Sequence, residues 1–118
     1  MINAGDGEVQ LQRTPGSREG VEILTVVGQL TVYNFFPLQD LARKDATPVL
    51  IIDLQSVPYM DSAALGCLVG IHVSCEKNGR KYALVNVPDR IKTLFSVAGV
   101  TGFLVTFGSV AEAEDAFK

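Results

Sequence analysis

The residues in this chain that could do chemistry lie close together: Ser62 directly behind Asp61, then Cys67, His72 and Cys75. A serine nucleophile needs a base within hydrogen-bond reach. His72, the single histidine, follows Ser62 by ten residues in what reads as one helix, which puts it ~15 Å away. No G-x-S-x-G elbow surrounds Ser62, and the adjacent Asp61 does not by itself make a general-base dyad. His72 is expected as a polar position on the helix flank. Asp53, closing an apolar run, is expected to bond loop amides rather than transfer protons. With no base and no oxyanion motif, a small hydrolase built on Ser62 finds no support, and the chain is read as a non-enzyme.

Cofactor chemistry fares no better. Cys67 and Cys75 are eight residues apart in the same helix, so a span of ~12 Å separates them. That is too far for a disulfide, and both are expected as unpaired thiols, with Cys67 mostly buried. A metal site needs more ligands than one histidine and two cysteines so placed. Nothing matches G-x-x-x-x-G-K-[ST], and Gly5-Asp6-Gly7 belongs to an N-terminal stretch expected to fray. No cofactor and no metal are therefore expected.

What remains is a hydroxyl at a helix start. Ser62 is a good N-cap for a helix over 62–78, closed by Gly79 as the C′ residue. Leu65, Leu68, Ile71 and Cys75 give it an apolar face. Gly66 and Gly70 each cost ~1 kcal/mol against alanine, which suggests close packing on a neighbouring element.

The elements that must position this helix follow from the pattern. Val9–Gln12 alternates and Val21–Val27 is β-branched and apolar; turn residues Thr14-Pro15-Gly16-Ser17 between them imply an antiparallel hairpin. A loop over Gln29–Asn34 leads to a helix with Pro37 in its first turn and Leu38, Leu41 and Ala42 on one face. Val49–Leu54 (VLIIDL) reads as a buried parallel strand. Tyr82–Val87 is a further strand, and Pro88-Asp89 opens a helix carrying Ile91, Leu94 and Phe95, ended by Gly99. Phe103–Phe107 is a last strand, and Ser109…Glu112 is a capping box opening a terminal helix.

The expected fold is thus α/β, an open, mixed but mostly parallel sheet in the order β-β-α-β-α-β-α-β-α, forming one domain over residues 1–118 with its core over about 8–117. Repeated strand–helix units imply parallel strands and right-handed crossovers. The loops after Val27 and Leu54 then leave the same carboxyl-end edge, where open sheets place their sites. Asp61 and Ser62 should lie beside the loop Gln29–Asn34.

Totals exclude several classes. With 10 basic and 13 acidic residues the formal charge is −3, and the only basic cluster is Lys77…Arg80-Lys81, so phosphate-neutralising nucleic-acid binding is disfavoured. Apolar residues make up 47% of the chain, yet no run approaches the ~18–20 residues of a membrane span. The start MINAGDGEVQLQ has neither a basic n-region nor an apolar h-region. A cytoplasmic address is expected.

From about Glu8 to Phe117, the order of elements and the stretch VLIIDLQSVPYMDSAALG, with its "DL" strand end and "DS-x-x-LG" helix start, resemble the STAS domain family, which includes the bacterial anti-sigma factor antagonists. The strand Tyr82–Val87 and the segment Gly99–Phe107 agree with it. The chain has Gly28-Gln29-Leu30-Thr31 where the family often carries an acidic residue, and Ala64 where it commonly has glycine. The resemblance implies an antagonist that binds an anti-sigma factor serine kinase, releases a sigma factor, and is switched off when that kinase phosphorylates Ser62. It implies a partner surface that includes Asp61, Ala63, Thr31 and Asn34. It also allows a homo-oligomer, and, as the alternative, a non-switching STAS scaffold or a transporter-accessory module.

Overall fold

The computed structural model describes residues 9–44 and 46–118; Gly5-Asp6-Gly7 lies outside them. Strand β1 (Gln10–Pro15) pairs antiparallel with β2 (Val21–Val27), from Gln10 opposite Val27 to Pro15 opposite Glu22. The strand runs through Thr14-Pro15, which the sequence assigned to the turn. Pro15 is tolerated because β1 is an edge strand, where a missing N–H breaks no ladder. Helix α1 (Phe36–Lys44) carries the chain to β3 (Val49–Ser56), helix α2 (Ser62–Lys77) to β4 (Lys81–Val85), and helix α3 (Asp89–Val97) to β5 (Thr106–Phe107); helix α4 (Val110–Ala116) closes the described chain.

The five strands lie in sequence order, with β2, β3, β4 and β5 mutually parallel. The expected order and mixed sheet are both present. The last strand is far shorter than Phe103–Phe107. Its first half forms a turn in which Phe103 packs on the His72 ring, with centroids 4.1 Å apart, and Leu104 is buried. Leu104 buries as a loop plug while Phe103 stays 43% exposed, a role that periodicity does not separate from a strand.

Alternation along the strands divides the core. Leu24 and Val26 of β2, Leu50, Ile52 and Leu54 of β3, and Leu84 of β4 meet Leu38 and Ala42 of α1, Leu65, Leu68 and Ile71 of α2, and Ile91 and Phe95 of α3. Val21, Ile51, Ala83 and Val85 point to the other face and meet Ala113 of α4. Three helices therefore cover one face and one short helix part of the other, as period-2 strands between helices require.

Two assignments on α2 change. His72 is buried, not on an exposed flank: its Nδ1 lies 2.6 Å from the Tyr82 hydroxyl and its Nε2 is 2.9 Å from Glu76 Oε1. The Tyr82 oxygen accepts from the Val105 N–H at 3.0 Å, which leaves its own proton for Nδ1 and the Nε2–H for Glu76. Gly66 and Gly70 do not pack closely. Both are exposed, and a Cβ built on either would meet nothing within 4 Å among the described residues. Cys67 and Cys75 are free and buried, and burial pushes the Cys67 thiol up to about 11.

Helix α4 is held by a buried carboxylate. Glu114 accepts from the Ser17 N–H at 2.9 Å and from the Ser17 hydroxyl, while Arg18 donates to the Glu114 and Phe117 carbonyls at 3.0 and 2.6 Å. The hydrogen bonds from Ser17 hold the Glu114 carboxyl below its ordinary range. A carboxyl held low in the folded state stabilises the fold above its unfolded pKa, and that stability is lost as pH falls through the folded value. Glu114→Gln is expected to melt about 5 °C below wild type at neutral pH, with the gap closing towards acid pH, by thermal scans across pH. A gap constant with pH would contradict this role for the charge.

Candidate functional site at the Asp61–Ser62 helix start

Strand β2 ends in an irregularity: the β2–β3 register shifts between Thr25 and Val27, and Gly28 has φ of +114°. That φ is open to glycine and strained for other residues. It turns the chain out of the sheet into the loop 29–34, just as β3 runs into the segment 57–61. The two segments pair again beyond the sheet. Leu30 and Met60 form a parallel bridge, with the Leu30 N–H donating to Tyr59 at 3.0 Å and the Asp61 N–H donating to Leu30 at 3.2 Å. Both bridge residues are buried. The expected adjacency of Asp61-Ser62 and the loop Gln29–Asn34 is present.

Asp61, not Ser62, caps α2. Its Oδ1 accepts from the Ala64 N–H at 2.9 Å, and its Oδ2 accepts from the Val32 N–H at 2.9 Å. Asp and Ser are nearly equal as N-caps. The second carboxylate oxygen decides the register here, because it also satisfies a loop amide that a hydroxyl at position 62 leaves unpaired. Ser62 is thereby moved to the first helical residue. It is exposed, and its hydroxyl has no hydrogen-bond partner among the described residues.

The loop is built on Asn34, which is buried. Its Oδ1 accepts from the Thr31 N–H and its Nδ2 donates to the Gln29 carbonyl, both at 2.8 Å. Thr31 Oγ1 accepts from the Tyr33 N–H at 3.2 Å. Thr31 and Asn34 thus shape the loop from within, and Ala63 is half-buried beside Ser62. Asp53 accepts from the Gln55 N–H at 3.0 Å, within β3 itself, and from Asn86 Nδ2 at 3.3 Å, so only the Asn86 contact is the loop bond expected of it.

The internal bonding pushes apolar side chains outward. Tyr33 is 87% exposed and Phe36 57%, with Val32 and Tyr59 each nearly half exposed. Sequence reasoning missed these four, because an apolar residue in a loop or at a helix start reads equally well as core. The stretches 19–42 and 46–76 contain no Lys or Arg. A charge placed on Ser62 would therefore meet the N–H groups of the helix start and the Asp61 carboxylate, with no basic residue of either stretch to pair it. His72, engaged by Tyr82 and Glu76, does not serve Ser62 as a base. No three His, Cys, Asp or Glu side chains gather as metal ligands among the described residues.

The sequence pattern of the STAS domain matches residues 14–113. This chain belongs to the STAS domain family. It is 35% identical over 78 residues to an anti-sigma-B factor antagonist of Staphylococcus aureus, covering 64% of this chain and 72% of that protein. The fold is shared with an anti-sigma factor antagonist of Mycobacterium paratuberculosis, at a TM-score of 0.78 and 18% identity over 94% of this chain and 95% of that one. It is also shared with the anti-sigma factor antagonist SpoIIAA in its unphosphorylated form, at a TM-score of 0.73 and 18% identity over 92% and 96% of the two chains. SpoIIAA has been solved in a phosphorylated form too, from Bacillus, with a TM-score of 0.67 and 16% identity over 92% of this STAS chain and 100% of that one. No helix among the described residues is long and apolar enough to cross a membrane.

Proposed function

We propose that this STAS protein is an anti-sigma factor antagonist whose 118 residues act as one domain. It binds an anti-sigma factor kinase, which frees a sigma factor, and the kinase ends the interaction by phosphorylating Ser62. The observation that carries the reading is an exposed hydroxyl at the first position of α2, without a partner among the described residues, on the element pinned to a loop that, with the start of α1, presents Val32, Tyr33 and Phe36. The name of the staphylococcal relative supports the partner class.

The chemistry asked of this chain is slight. Ser62 Oγ attacks the γ-phosphorus of ATP held by the kinase, its proton passes to a base there, and the bond to ADP breaks; catalysis belongs to the partner. The product adds about −1.5 to −2 charge. At a helix N-terminus that charge is tolerated by free N–H groups and the dipole. At a packed interface beside Asp61, and with no basic residue in the neighbouring stretches, it is repelled and costly to desolvate. Phosphorylation then changes affinity and leaves the fold in place.

Incubation with the kinase-type anti-sigma factor of the same genome and ATP tests this by intact mass. One added phosphate is expected on wild type and none on Ser62→Ala, which folds normally because Ser62 is not the cap. An unchanged wild-type mass, with the partner still bound, would replace the switch by a non-switching STAS scaffold.

A further inference from the structure

A second site opens at the carboxyl ends of β4 and β5, on neither of the segments that carry Ser62 and its loop. It is a cavity of about 390 Å³, within the ~300–1,000 Å³ range of small-molecule sites. Its walls are apolar: Val87 and Phe95 are buried, and the Phe107 ring is braced edge-on by Phe117, with centroids 5.8 Å apart. Open parallel sheets place ligands outside the carboxyl ends of their strands, and this one lies there. The short β5 leaves the crevice uncovered, since the chain enters the sheet only at Thr106.

Four polar side chains from four segments line the same space: Asn86 after β4, whose Nδ2 is already engaged in donating to Asp53 Oδ1 at 3.3 Å, Lys92 of α3, Thr101 of the following turn, and Thr106 of β5. Among the described residues the Lys92 ammonium forms no ion pair and neither threonine hydroxyl has a hydrogen-bond partner. The Gly108 amide on the cavity wall is already taken by Glu112, at 3.0 Å. Recognition of a polar ligand group therefore falls to one cation and two hydroxyls. An apolar slot with such a rim suits a small organic acid, its ring or branched chain against Phe95 and Phe107 and its carboxylate at Lys92. Charge-assisted hydrogen bonds supply the orientation.

We propose that this cavity binds a monoanionic organic acid with a single ring or short branched chain. Its test is an amide chemical-shift titration with phenylacetate, alongside the uncharged phenylacetamide and with acetate as a salt control. Phenylacetate is expected to shift the Val87, Thr101, Thr106 and Gly108 amides saturably at millimolar concentration, and acetate to leave them in place. Lys92→Met, a substitution at an exposed helix position, is expected to weaken phenylacetate about fivefold while leaving the melting temperature and phenylacetamide binding unchanged. No saturable shift up to ~10 mM, a Kd weaker than any useful site, would overturn the proposal. So would shifts that map elsewhere, or equal affinity for the acid and the amide.

Discussion

Replacing Tyr33 with alanine is expected to weaken the complex with the kinase about 30-fold while the melting temperature stays within ~1 °C of wild type. The physical reason is the division of labour in the loop 29–34. Asn34 and Thr31 hold its backbone, and the Val32 N–H ties it to Asp61. Tyr33 has 87% of its surface exposed and contributes almost nothing to the core. Exposed positions rarely change stability by more than ~0.5 kcal/mol. An aromatic ring at the centre of an interface is a typical anchor, and its truncation commonly costs 2 kcal/mol or more, or roughly 30-fold. Titration calorimetry and a thermal scan on the same preparation check both halves. Unchanged affinity would move the partner surface away from this loop, and a lower melting temperature would show that Tyr33 supports the fold.

The second large effect is on Ser62. Ser62→Asp is expected to fold as wild type and to bind the kinase about 100-fold more weakly. A carboxylate in the first turn of a helix is favourable to the dipole, so stability should hold or rise by a few tenths of a kcal/mol. Against a packed partner the same charge stands beside Asp61, itself already engaged by the Ala64 and Val32 amides. Like charges forced together at an interface cost several kcal/mol, and a factor of 100 requires only ~2.7. Ser62→Ala should bind as wild type. Near-equal affinity of all three proteins, with their folding confirmed by circular dichroism, would remove charge at position 62 from the account.

The contrast between what the chain discloses and what it hides is physical. Strand Val21–Val27 was legible to the residue, because β-branched residues bounded by turn chemistry admit one reading. The adjacency of the two site loops followed from the parallel order of strands. The cap did not. Asp61 and Ser62 are both good caps, and the choice rests on the bond that Asp61 accepts from the Val32 N–H, 29 residues away. His72 was misplaced for a similar reason: its partners Tyr82 and Phe103 arrive from later elements. Gly66 and Gly70 suggested close packing, yet they lie on the open face of α2 below Ser62, and no contact among the described residues accounts for them. Exposed aromatics such as Tyr33 and Phe36 are the least legible feature, since a surface meant for a partner has the composition of a core.

The most direct measurement titrates the kinase with two samples of this protein, one unmodified and one carrying phosphate on Ser62, with mass spectrometry confirming each state. Tight binding is expected of the first, affinity lower by at least ~100-fold of the second, and the melting temperatures should nearly coincide. Equal affinities for the two forms would contradict this.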